Sequence, residues 1–129
     1  MNIYAQNILD RYKNPLHKDQ NLDTKLHCKE ANHSCGDVVE INLKIDGDKV
    51  SDYSFSGNGC AISMASADMI GDLAEGMSKE EILKLTKEEI YEMLGIEISM
   101  RRSKCALLPL LALQNAFPEE ARTWSDYHL

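Results

Sequence analysis

Residues 38–69 read VVEINLKIDGDKVSDYSFSGNGCAISMASADM, and the hydrophobic period changes once within them. Val39, Ile41, Leu43 and Ile45 alternate with Glu40, Asn42 and Lys44, the signature of a strand with one apolar face. Asp46-Gly47-Asp48 offers a tight turn, and residues 49–56 (KVSDYSFS) resume the alternation through Tyr53 and Phe55. The two runs are predicted to pair as a β-hairpin. After Gly57-Asn58-Gly59 the spacing becomes helical: Ile62, Ala65, Met69 and Leu73 share a face as far as about Glu75, with Gly76 as the cap.

Downstream, Ser78 with Glu81 forms a capping box for a short helix to Leu85. Thr86 with Glu89 repeats the signature for a helix to Leu94, which Gly95 closes. A last helix is predicted from Ser103 or Lys104 to Phe117, stopped by Pro118, with Pro109 as a kink or a loosened first turn. Upstream, Ile3, Asn7, Ile8 and Tyr12 have helical spacing, and Asn14-Pro15 ends that helix. Leu26 and Cys28 share one parity, as in an edge strand. Strands come first and most helices after, so the class is α+β: a small antiparallel β-sheet with helices packed on it. Residues 1–129 contain no repeat and no linker and are expected to form a single domain.

Composition bounds the function. An apolar fraction of 43% can supply a core without crosslinks, and the net charge of −7 argues against a non-specific nucleic-acid binder. The first fifteen residues, MNIYAQNILDRYKNP, are neither a signal peptide nor a membrane span. The longest nearly apolar run, residues 106–113, suits a buried helix. The expectation is a cytoplasmic protein with no nucleic-acid or membrane partner, whose four cysteines are thiols or metal ligands rather than disulfides.

Those cysteines stand at 28, 35, 60 and 105, with no CxxC pair among them. Cys35 lies in the loop SCGD at 34–37, Cys60 ends GNGC at 57–60, and Cys105 follows RRSK at the start of the last helix. All three sit at ends of elements, which a helix-covered sheet brings to one rim. Helix N-termini favour thiolates at Cys60 and Cys105, and Arg101, Arg102 and Lys104 add positive charge. Three thiolates with the Asp37 carboxylate would carry −4, which Zn²⁺ reduces to −2. Singly, each cysteine reads equally well as a small core residue; what argues for a site is their joint placement at three element ends. Cys28 reads as a strand side chain and His33 as a loop residue or spare ligand. His17, His27 and His128 read as surface residues, and Met64 and Met69 as core or partner surface.

The chain resembles the IscU/NifU/SufU family of iron–sulfur cluster assembly proteins over roughly residues 3–117, through ILDRYKNP at 8–15, SCGD at 34–37, GNGCAISMASADM at 57–69 and RRSKCALL at 101–108. Each piece is weak alone; the four in order are specific. The resemblance implies that Cys35, Asp37, Cys60 and Cys105 form one metal- or cluster-binding site. The family either builds nascent clusters at that site or binds zinc there and accepts sulfur from a cysteine desulfurase. The motifs are closest to SufU, with Lys104 where IscU proteins usually have histidine, and Gly95–Met100 (GIEISM) where they have a chaperone-binding LPPVK. SufU proteins, however, carry an insertion between the second and third cysteines, whereas Cys60 and Cys105 are only 45 positions apart here.

The resemblance leaves two mechanisms and the residues one rival. As a scaffold, the chain would hold a transient [2Fe–2S] cluster on the three cysteines, with Asp37 keeping it labile. As a sulfurtransferase-like acceptor, it would hold Zn²⁺ and release one thiolate to take persulfide sulfur, first Cys35 because Gly36 frees its loop, or alternatively Cys105. Whether it is an enzyme stays open between these. Expected partners are a cysteine desulfurase and downstream acceptor or scaffold proteins, with the chain itself a monomer. The rival is a non-catalytic zinc-stabilised binding module. A zinc deaminase is disfavoured, since neither HxE nor PCxxC occurs.

Overall fold

A computed structural model describes residues 3–118 and 121–129. Helix α1 (Ile3–Lys13) is followed by β1 (Leu26–Asn32), β2 (Asp37–Asp46) and β3 (Lys49–Asn58). Then come α2 (Ala61–Ala74), α3 (Lys79–Leu83), α4 (Lys87–Leu94) and α5 (Ser103–Asn115). The sheet order is β1-β2-β3, antiparallel throughout, so the expected α+β architecture is present and the weak edge-strand signal at Leu26 and Cys28 is β1.

One face of the sheet is buried. Val39, Ile41, Leu43, Val50, Tyr53 and Phe55 all lie on it, against α5 over β1 and β2 and against α2 over β3. Ile45 departs from the alternation and is exposed, because a register shift between Lys44 and Ile45 turns the end of β2 outward. Cys28 packs at the margin of the core, as its parity implied.

Helix α2 is enclosed well beyond a single stripe, with Met64, Ala65, Ser66, Ala67, Asp68, Met69 and Ile70 all buried. Its small residues admit α1, α4, α5 and β3 at close range. The buried carboxylate of Asp68 explains how a polar group survives there. It takes the Arg11 guanidinium of α1 and the backbone N–H groups of Leu16 (2.8 Å) and His17 (2.7 Å). The segment so anchored lies along the outer edge of β3, where Phe55 donates to His17 O (3.0 Å) and Asp19 to Phe55 O (2.8 Å). His17 is therefore not the surface residue the sequence suggested: its ring bonds Asp72 at 2.8 Å and meets Tyr53 edge-on. Ile3 and Tyr12 of α1 are exposed and only Ile8 is buried, so the ion pair anchors this helix more than an apolar stripe does.

Both capping boxes form, Ser78 with Glu81 and Thr86 with Glu89, although α3 stops two residues short of Leu85. Gly95 closes α4 in the left-handed conformation. Glu75 rather than Gly76 caps α2. A 3₁₀ turn, Met100–Arg102, leads into α5, which runs through Pro109 and ends at Asn115, two residues before Phe117. A second 3₁₀ turn, Trp124–Tyr127, was not legible in the sequence; it docks on α5 through the Tyr127 hydroxyl and buried Gln114.

Candidate metal centre

Three element ends meet at the turn end of the β1–β2 hairpin. Asn32 and Asp37 are register partners, and the turn between them carries Cys35 outward. Asn32 O accepts from the N–H groups of Cys35 (3.2 Å) and Gly36 (2.8 Å), while its side chain accepts from Ser34 N. Gly36 has φ +76° with open space around it, a conformation that costs a side-chain-bearing residue energy. Asp37 opens β2 with its side chain buried; Oδ1 accepts from Cys60 N at 3.1 Å, tying the start of α2 to the hairpin. Gly59 makes that contact possible, since a Cβ there would stand 2.7 Å from Asp37 Oδ1 and 2.5 Å from Ser63 Oγ.

Cys35, Asp37 and Cys105 come together, their ligand atoms all within 4.8 Å of one another. The two sulfurs are 3.7 Å apart. Two thiolates on a tetrahedral zinc, each about 2.3 Å from it, stand roughly 3.8 Å apart, so the pair already has the spacing of such a site. Asp37 Oδ2 is buried with no hydrogen-bond partner. An unpaired buried carboxylate oxygen is costly, and a cation between it and the two sulfurs would satisfy it. The donor set, soft sulfur with one oxygen, fits zinc or iron.

Cys60 is beside this group but outside it. Its sulfur caps α2, accepting from Ser63 N at 3.5 Å, so a fourth ligand from Cys60 requires its side chain to turn from that cap. The cations also differ from the sequence reading. Arg102 is the cation that feels the thiols, its pKa raised first by the charge of Cys60 and then by Cys105. Lys104 instead lies over the Trp124 ring, 5.7 Å from its centre. Nor does the helix start dominate at Cys105: burial, then Asp37 and Cys35, push its thiol pKa up.

Two contributors escaped the sequence reading. Asn32 is buried, folds the Cys35 turn and donates to Cys105 Sγ at 3.8 Å; its only sequence signal is an Asn three positions before the cysteine in a polar loop. Ser63 holds the Cys60 cap and donates through its hydroxyl to Cys60 O at 3.1 Å. Of the residues set aside, His33 is exposed on the turn, and Cys28 faces Glu30 at 3.4 Å, away from the centre.

Residues 3–121 match the family described as NifU-like N terminal domain. The chain is 33% identical to the zinc-dependent sulfurtransferase SufU of Bacillus subtilis (strain 168), covering 92% of this chain and 91% of that protein. It is 35% identical to the iron-sulfur cluster assembly scaffold protein IscU of Streptococcus pyogenes serotype M1, covering 92% and 85%. A crystal structure from Fervidobacterium islandicum AW-1, described as a scaffold protein for the SUF system, superposes with a TM-score of 0.68 at 29% identity, covering 85% of this chain and 93% of that one. A match over nearly all of the chain, with relatives of similar length, shows that it belongs to the NifU-like N-terminal domain family.

Proposed function

We propose that this chain is an iron–sulfur cluster assembly protein whose centre is Cys35, Asp37, Cys60 and Cys105, holding zinc or a nascent [2Fe–2S] cluster. The observation that carries the reading is the buried Asp37 carboxylate, one oxygen of which has no hydrogen-bond partner, grouped with two thiols at ligand spacing. Zinc would supply a positive charge that keeps the cysteines as thiolates, and a cluster would be cargo assembled on them. The chain's own parts divide the work. Asp37 orders the start of α2 and presents one hard oxygen, which weakens the grip on soft cargo. Asn32 folds the turn, and Arg102 offsets the negative charge that three thiolates accumulate.

The sulfur-acceptor form of this function has its own support. Cys35 is exposed on a Gly-hinged turn while Cys105 is fully buried, so a persulfide on a cysteine desulfurase can reach Cys35 first. The persulfide's outer sulfur would pass to Cys35 and the donor cysteine would leave as thiolate. Downstream acceptor proteins would then take the sulfur or the cluster, from a chain acting as one single-domain monomer.

The test is metal analysis of protein purified without added iron, then anaerobic reconstitution and desulfurase assay. About one zinc per chain is expected, lost in the alanine variants of Cys35, Cys60 and Cys105 and kept in Cys28→Ala. Full metal retention in Cys60→Ala would overturn the four-ligand centre. Stimulation of a desulfurase without cluster transfer would select the acceptor form. Zinc bound with neither activity would leave the non-catalytic binding module.

A further inference from the structure

A cavity of about 370 Å³, lined by Cys35 but not by Asp37 or by any residue of α2, opens beside the centre, within the ~300–1,000 Å³ range of small-ligand sites. Ser34, Cys35, Met100, Arg101, Lys104 and His128 are among its lining residues, and none of the described lining side chains is acidic. In a chain with 21 acidic residues against 14 basic ones, that local reversal of sign selects anions. The cavity therefore sets an exposed thiol at the mouth of a cationic pocket, with a second thiol 3.7 Å behind it.

We propose that, with no metal bound, Cys35 and Cys105 form a redox-active pair that reacts with anionic low-molecular-weight disulfides held in this cavity. Cys35 attacks as thiolate on one sulfur of the docked disulfide. Its S–S bond breaks, one half leaves as thiolate and takes a proton from water, and Cys35 keeps the other half as a mixed disulfide. Cys105 then attacks Cys35 Sγ, giving up its proton to the departing second thiol. The protein loses two electrons and two protons to a Cys35–Cys105 disulfide, and the small disulfide is reduced to two thiols. Closure needs the sulfurs to move from 3.7 Å to about 2.05 Å, which the hinged turn at Gly36 accommodates. Cys60, engaged as the cap of α2, stays a free thiol. The product has two of the metal ligands tied together, so oxidation and metal loading exclude each other.

The test uses the full chain, reduced and stripped of metal anaerobically, with glutathione disulfide as the anionic probe and 2-hydroxyethyl disulfide as a neutral one. Intact mass and peptide mapping should find the wild type two hydrogen atoms lighter, with the bridge between Cys35 and Cys105. Cys105→Ser should stop at a glutathione adduct on Cys35, Cys35→Ser should form neither, and Cys60→Ser should still close the bridge. Arg101→Gln should slow the glutathione disulfide reaction several-fold and leave the neutral probe unchanged. A bridge involving Cys60, or a Cys105→Ser variant carrying its adduct on Cys60, would overturn the pairing. Equal slowing of both probes would overturn the cavity's role. The readout is covalent mass without desulfurase, iron or zinc, so its failure is distinguishable from failure of the assembly function.

Discussion

Asp37 is the residue whose two oxygens divide structure from chemistry. Oδ1 is committed to Cys60 N, and Oδ2 is buried and unpaired. In the proposed centre, Asp37→Ala would remove the oxygen ligand and leave three thiols to hold a cluster. The expected result is a reconstituted cluster that persists longer and transfers more slowly to an acceptor ferredoxin, followed by its visible absorbance. An unchanged transfer rate would remove Asp37 from release. Cys28 is the internal control. Partial burial, then the Glu30 carboxylate, hold its thiol up at about 11. Raising the pKa means less thiolate at a given pH, so in metal-free protein at pH 8.5 iodoacetamide should label Cys28 far more slowly than free cysteine, and its labelling rate should still be rising past pH 10. A plateau below pH 9 would contradict that environment.

At the scale of elements, the notable device is the buried Asp68 on α2, which fastens α1 and the edge-covering segment with one carboxylate. Asp68→Ala leaves Arg11 short of a partner and strands two backbone N–H groups, so the expected loss is roughly 3–5 kcal/mol in urea unfolding. Thr86→Ala should cost only about 1 kcal/mol, since a cap is lost at an exposed helix end. The two variants together separate a buried anchor from a local one. A loss near 1 kcal/mol for both would mean that α1 is held by packing instead.

Across the whole molecule, the candidate centre joins the β1–β2 turn to the start of α5, elements separated by 70 positions at Cys35 and Cys105. A cation bound there crosslinks the folded state alone and should stabilise it by linkage, about 2.7 kcal/mol at free zinc 100-fold above its dissociation constant. The expected observation is a zinc-dependent rise in Tm for the wild type and none for Cys105→Ala. A rise retained in that variant would place the metal elsewhere. The sequence alone determined the hairpin, the two capping boxes and the order of elements, because alternation, turn residues and caps act between neighbours in the chain. It also marked Cys35, Asp37, Cys60 and Cys105, since unusual residue types at element ends are visible in one dimension. It misjudged what depends on packing: the outward turn of Ile45, His17 as a latch hydrogen-bonded to Asp72, Lys104 drawn over Trp124, and burial outweighing the helix start at Cys105. Asn32, a polar loop residue by sequence, owes its role to the register that sets it opposite Asp37 and beneath Cys105. Desolvation and charge proximity depend on which segments meet, and only the tertiary structure brings the hairpin turn, α2 and α5 to one rim.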